Sequence, residues 1–225
     1  MKSHWTINHP DRIQLYSLAT PNGQKVSIAL EAMQLSYEAH TIDITKGDQF
    51  SPEFLALNPN AKIPVIVDPN SYDGKPITIF ESGAILLYLA EKTGQLMPED
   101  PRAKQECKQW LFFQMANIGP MFGQFGHFFK YAGQKCEHPY PLERYKNETK
   151  RLLKLLDERL EKKAYILGDS YSIADISIFP WVYCLDHFYK SANILSLSSY
   201  EHLNTWLERC LKKPGTKKGM TLCSL

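Results

Sequence analysis

The sequence predicts an α/β domain of order βαβ-α-ββα followed by an all-α domain, and three observations carry that reading. Up to about residue 93, short β-branched runs alternate with helical periods, and from about residue 101 every periodic segment is helical. Between them Thr93-Gly94 to Pro101, which also holds Pro98 and Asp100, has the composition of a linker. The divisions are an N-terminal arm over 1–12, the α/β domain over 13–93, a linker over 94–100 and the helical domain over 101–225. A length of 225 residues allows two modest domains, each with its own core.

Within the α/β domain, Ile13 to Ser17 predicts a strand leading into Thr20-Pro21-Asn22-Gly23. Pro21 suits the first helical position, which makes Thr20 the N-cap of a helix carrying Val26, Ile28, Ala29, Leu30 and Met33. Tyr37 to Ile44 alternates as a second strand, and Pro52 to Leu57 is a short helix. Lys62-Ile63-Pro64 then opens the run Val65, Ile66, Val67; a proline can begin a strand but has no N–H for its interior. A cis Ile63-Pro64 bond would turn the chain there and leave the Ile63 amide groups facing outward, where an extended peptide-like ligand can pair with them. Asp73-Gly74 makes a hairpin with Ile77 to Phe80. Glu81-Ser82-Gly83 opens the run Ala84 to Ala90, apolar all round and therefore a buried helix, with Ser82 where an N-cap belongs. The N–H groups of a helix N-terminus attract carboxylates, so a peptide-pairing edge stands beside a carboxylate site. The element order is that of thioredoxin.

The helical domain begins with Ala103 to Met115, which Gly119-Pro120 bends or interrupts. Leu142 to Leu160 places Tyr145, Leu152, Leu153, Leu156 and Leu160 on one face with Glu and Lys opposite. Tyr171-Ser172-Ile173-Ala174-Asp175 is a capping box before an apolar helix through Trp181, and Tyr200 to Leu211 supplies a last helix. Phe122, Phe125, Phe128, Phe129 and Tyr131 around His127 read as core or interface, with part of the stretch able to roof a site. The arm, Met1 to Arg12, admits two readings: a disordered leader, or a segment packed on a partner subunit or over the site.

Taken together, Thr20-Pro21-Asn22-Gly23, Lys46 to Phe50, Asn58 to Pro64, the Glu81 to Lys92 helix and Gly119-Pro120-Met121 resemble the nu class of glutathione transferases, over nearly the whole chain from Ile13 to about Lys213. The resemblance implies a homodimeric, bacterial-type glutathione-dependent disulfide reductase with glutathione as cosubstrate. It places Thr20 and Asn22 at the glutathione sulfur and Gln49 and Lys62 at the glycyl end, with Ile63 and Pro64 also among the glutathione-binding residues. It gives Glu81 the ligand ammonium and Ser82 the γ-glutamyl carboxylate. Gln109 and Arg144 match positions that reach a second glutathione or the partner subunit's ligand. The polar residues have plainer readings: Thr20 and Ser82 as helix caps, Asn22 as a turn residue, Glu81 as a first-turn acid, and Gln49, Lys62, Gln109 and Arg144 as solvated polar residues.

Composition bounds the alternatives. A net charge of +2 implies no strongly charged partner, and the cluster Lys212, Lys213, Lys217 and Lys218 reads as a solvated tail, since no aromatic residues interleave with it as in a nucleic-acid surface. Five widely spaced cysteines with no CxxC point to a reducing compartment, and no apolar leader or span is evident, so the expectation is cytoplasmic, with no nucleic acid and no membrane partner. Cys184-x-x-His187 has helical spacing but lacks two further ligands, so a buried pair is expected rather than a metal site. The domain over 13–93 contains no cysteine. Disulfide exchange there would need two glutathione thiols, with conjugation of glutathione to electrophiles as the nearest alternative. A non-catalytic binding relative is the rival from another class, and retention of Thr20, Asn22, Lys62, Glu81 and Ser82 together speaks against it.

Overall fold

A computed structural model describes residues 5–225, and the chain divides into two compact units, one of residues up to Gln95 together with Lys213–Leu225, the other Leu96–Lys212. Four residues of the expected arm, 1–4, lie outside the described residues.

In the first unit a four-stranded sheet has the order β2-β1-β3-β4. β1 (Ile13–Ser17) pairs parallel with β2 (Tyr37–Thr41) and antiparallel with β3 (Val65–Asp68), which pairs antiparallel with β4 (Ile77–Phe80). Helix α1 (Pro21–Ala32) joins β1 to β2, α2 (Pro52–Leu57) precedes β3, and α3 (Ser82–Thr93) follows β4. The thioredoxin-like order read from the sequence is therefore the observed one. β2 ends three residues earlier than expected, because Asp43 turns the chain: its Oδ1 accepts the Thr45 N–H at 3.0 Å, and an Asx bond of that kind competes with a strand ladder.

The described part of the arm packs on its own unit. Trp5 is buried, edge-on to Tyr16 and Phe54, and its Nε1–H donates to Thr41 O at 3.3 Å. Glu38 clamps the next turn by accepting from the Asn8 and His9 backbone N–H groups at 3.0 and 2.8 Å, and these bonds to the ionised form pull its carboxyl down to about 2. Trp5, Tyr16, Ile42, Phe54 and Val65 form one apolar cluster beneath the start of β3.

The second unit is helical. α4 (Pro101–Phe113) and α5 (Gly119–Gly126) are joined by a π-helical stretch, Gln114–Ile118, and a second one, His127–Tyr131, follows. The expected interruption at Gly119-Pro120 is thus a widened turn rather than a break, which absorbs the proline that a regular α-helix would reject. α6 (Tyr140–Leu160) buries Leu152, Leu153, Leu156 and Leu160 as its amphipathic pattern requires. α7 (Ile173–His187) starts at the expected capping box, and α8 (Ala192–Leu195) and α9 (Glu201–Leu211) complete the unit. Phe122 and Phe125 are core; Phe129 stacks on Phe125 and Phe128 on Tyr145.

Two expectations for this half of the chain need correction. The helical domain does not continue to residue 225: α10 (Thr216–Thr221), read as part of a solvated tail, packs against α1. A Cβ on Gly219 would stand 2.6 Å from the Ile28 Cα, so the absence of a side chain is what allows this approach. The two lysines of α10, Lys217 and Lys218, are exposed, with Lys218 paired to Glu31 at 2.7 Å. Nor do Cys184 and His187 form a buried pair: Cys184 is inside, whereas His187 is exposed and stacks on Tyr183 at 3.7 Å.

Candidate functional site

The first unit holds a cleft lined by Asn22, Asn58, Lys62, Ile63, Pro64, Glu81 and Ser82. Its floor is built from the loop entering β3. Asn58 is buried, its Nδ2 donates to Lys62 O at 2.7 Å and its Oδ1 accepts the Asn60 N–H at 2.9 Å, so the loop is pinned just before the cis Ile63-Pro64 bond. The β3 ladder begins only at Val65, opposite Tyr16 and Phe80, which leaves Ile63 ahead of the first ladder pair.

The opposite wall is the junction of β4 and α3. Glu81 has φ +70°, a left-handed conformation costing a non-glycine residue about 1–3 kcal/mol. Glu81, rather than Ser82, occupies the N-cap, which corrects the expectation; Ser82 is the first helical residue and is buried. The twist at Glu81 presents consecutive side chains, a carboxylate and a hydroxyl, to the same cleft.

Asn22 comes from the first turn of α1. Behind it Lys25, fully buried on the helix's inner face, donates from Nζ to Asn22 Oδ1 at 2.8 Å and to Ser82 Oγ at 3.3 Å. Burial lowers the Lys25 ammonium to about 7, with the Glu81 carboxylate acting the other way. Sequence reasoning passed over both Lys25 and Asn58. The signal for Lys25 was its spacing: it lies three residues from Asn22 and beside Ile28 and Ala29 on the apolar face, where a lysine needs partners.

Thr20 and Gln49 are not in the cleft lining. Thr20 caps α1, its Oγ1 accepting the Gly23 N–H at 3.4 Å, and the preceding Ala19 N–H donates to Cys223 O at 3.2 Å. Gln49 sits in the turn Asp48–Phe50 with its Nε2 donating to Ile44 O at 3.4 Å and its Oε1 enclosed without a hydrogen-bond partner. Gln109 and Arg144 belong to the helical unit, on α4 and α6, and both are exposed. There Arg144 lines a surface groove with Tyr140, Glu143, Asn147, Glu148 and Arg151. Arg151 and then Arg144 hold the Glu148 carboxyl below its ordinary value.

The cysteine argument also changes. Because the C-terminal segment packs with the first unit, that unit does contain one cysteine, Cys223. Its thiol is buried, and burial raises its pKa above the ordinary value, which disfavours the thiolate. Among the described residues no group of three or more His, Cys, Asp or Glu is placed to hold a metal ion, and no helix is long and apolar enough to cross a membrane.

A thioredoxin-like unit with a cis-proline cleft, followed in the chain by a helical unit, defines the class of two-domain glutathione transferases. Family models for the glutathione S-transferase N-terminal and C-terminal domains match residues 19–92 and 120–214. The disulfide-bond oxidoreductase YfcG of Escherichia coli is 44% identical over 214 residues, covering 95% of this chain and 96% of its own. Among solved structures, a glutathione transferase family member from Pseudomonas fluorescens with two glutathione bound superposes with TM-score 0.95 at 47% identity, covering 97% of this chain and 96% of that one. A glutathione transferase from Pseudomonas putida, with one glutathione disulfide bound per subunit, gives 0.93 at 49%, covering 96% and 94%. The chain belongs to the glutathione S-transferase family of enzymes, and the nu-class resemblance drawn from the sequence agrees with these relatives.

Proposed function

We propose that this enzyme binds glutathione in the cleft at the start of α3 and uses it to reduce disulfides, two glutathione thiols carrying the exchange without a protein cysteine. The observation that carries the reading is the convergence of Asn22, Lys62, Ile63, Pro64, Glu81 and Ser82 on that one cleft. In this reading the Ile63 backbone pairs with the cysteinyl residue, Ser82 receives the γ-glutamyl carboxylate at the helix N-terminus, Glu81 the ammonium, and Lys62 and Gln49 the glycyl end. Thr20 and Asn22 donate to the sulfur, while Gln109 and Arg144 serve a second glutathione or the partner subunit's ligand in a homodimer. The relatives that carry two glutathione molecules or glutathione disulfide support a site for both thiols of the exchange. All five cysteines are thiols, which supports a cytoplasmic setting.

Reduced and oxidised glutathione are expected to raise the melting temperature by mass action on the native state, and Ser82→Ala to diminish that shift clearly. No shift at millimolar ligand would remove the proposal. A paired assay, glutathione-dependent reduction of a small disulfide against conjugation of an aryl halide, separates reduction from the transferase alternative.

The two-thiol mechanism has its own test. One glutathione thiolate attacks the substrate disulfide, expelling one substrate thiol, and a second attacks the mixed disulfide to release the other thiol and glutathione disulfide. A variant with all five cysteines replaced by Ser or Ala is expected to keep its reductase activity, with the rate depending on glutathione at two steps. Inactivity of a folded cysteine-free variant would show that a protein thiol takes part.

A further inference from the structure

The loop over 58–62 carries Asn58 and Lys62 to the cleft and runs into Ile63 and Pro64, which also line it. This whole stretch lies ahead of the first β3 ladder pair, at Val65, so the sheet does not hold it. Both of its ends rest instead on one apolar cluster: Phe54 and Leu57 precede the loop, Ile63 and Val65 follow it, and all four pack into the cluster that contains Trp5. The indole is contributed by the arm, which precedes the stretch 19–92 matched by the N-terminal family model.

The arm is tied down along its length. The Asn8 and His9 N–H groups donate to Glu38 at 3.0 and 2.8 Å, and Gln14 Nε2 donates to His9 O and Arg12 O at 2.8 and 2.9 Å. These bonds fix the turn to β2 and β1, while the Trp5 indole reaches Thr41 O at the end of β2. An interior packed to crystal density passes the displacement of one side chain to its neighbours.

We propose that Trp5 is a positioning residue for the glutathione cleft: the arm is a strap that sets the indole beneath the loop over 58–62 and so holds Lys62, Ile63 and Pro64 in their binding arrangement. The inference rests on the glutathione reading above. Without the indole, the space beside Phe54 and Tyr16 is unfilled and the side chains around it relax only in part. The loop then occupies its binding arrangement for a fraction of the time, and the apparent dissociation constant rises by the inverse of that fraction. Because the arm is a terminal segment, its release opens the structure locally and leaves the rest of the unit folded.

The test is calorimetry of glutathione with the wild type, Trp5→Ala, Trp5→Phe and Glu38→Ala, each shown by circular dichroism to be folded at the temperature used. Trp5→Ala is expected to weaken binding about tenfold with the number of sites unchanged. Trp5→Phe keeps an aromatic ring in the cluster and is expected to stay within about threefold of the wild type. Glu38 belongs neither to the cluster nor to the cleft lining, and Glu38→Ala, which unclamps the turn at Asn8 and His9, is expected to weaken binding about threefold. A Trp5 that served stability alone would lower the melting temperature and leave the dissociation constant of the folded protein where it was. Wild-type affinity in folded Trp5→Ala, or equal losses for the Ala and Phe variants, overturns the inference and leaves the functional reading intact; absence of binding by the wild type overturns both. Where Trp5→Ala does not fold, Glu38→Ala decides, and wild-type affinity there overturns the inference.

Discussion

Replacing Thr20 with Ala is expected to slow glutathione-dependent disulfide reduction about 10- to 100-fold with little change in stability. The Thr20 oxygen accepts the Gly23 N–H at 3.4 Å, long for such a bond, so its value as a cap falls at the low end, about 0.5 kcal/mol. Accepting with the oxygen leaves the hydroxyl hydrogen able to donate, so the cap and the thiol contact proposed above do not compete. A thiol titrates near about 8.5, which makes only a few per cent thiolate at neutral pH. A hydrogen bond to the charged sulfur is worth roughly 1.5–3 kcal/mol, against about 1.4 kcal/mol per tenfold in rate. The measurements are kcat/KM and the ultraviolet titration of the bound thiolate, whose pKa is expected to rise by about one to two units. Thr20→Ser should retain most of the activity. An unchanged rate with a lowered melting temperature would reduce Thr20 to a helix cap.

Asp175→Ala is expected to destabilise the helical unit by roughly 3–5 kcal/mol, the largest effect on folding among these substitutions. Asp175 is fully buried, and burial acts to raise its pKa against the hydrogen bonds that favour the carboxylate. Oδ1 accepts from Ile166 N–H at 2.9 Å and Trp206 Nε1–H at 2.8 Å, while Oδ2 accepts from Ser172 N–H at 3.0 Å and the Ser172 hydroxyl at 3.1 Å. One carboxylate therefore ties the loop after α6, the start of α7 and the Trp206 ring on α9. Removing it leaves donors in the core with no acceptor, each costing about 1–3 kcal/mol. Urea unfolding of the variant measures the loss; a change below about 1 kcal/mol would mean that the three segments are held by packing instead.

Local chemistry made much of this legible. Pro21 after Thr20, the capping box at Ser172 and Asp175, Asp73-Gly74 and the leucine stripe of α6 each act within a few residues, so their elements appear where the sequence places them. The cleft residues Lys62, Ile63, Pro64, Glu81 and Ser82 were legible for the same reason, because Pro64 and Glu81-Ser82 mark a strand start and a helix start at either side of one hairpin.

What depends on residues distant in the chain was not legible. Asp175 reads as a cap, and only the packed structure adds Trp206, 31 residues away, to its partners. Lys25 falls on the apolar face of α1, but only the packing of α3 brings Ser82, 57 residues on, to its ammonium. The lysine-rich C-terminus reads as a tail because its charges dominate, yet Gly219 lets α10 settle against Ile28 and carries Cys223 to the backbone of Ala19. The sequence by itself determined the class of fold, the cis-proline edge and most of the polar set around it, since those follow from short-range turn, cap and strand chemistry. The tertiary structure alone decided which buried groups face one another, because a hydrogen bond between distant segments leaves no periodicity to read.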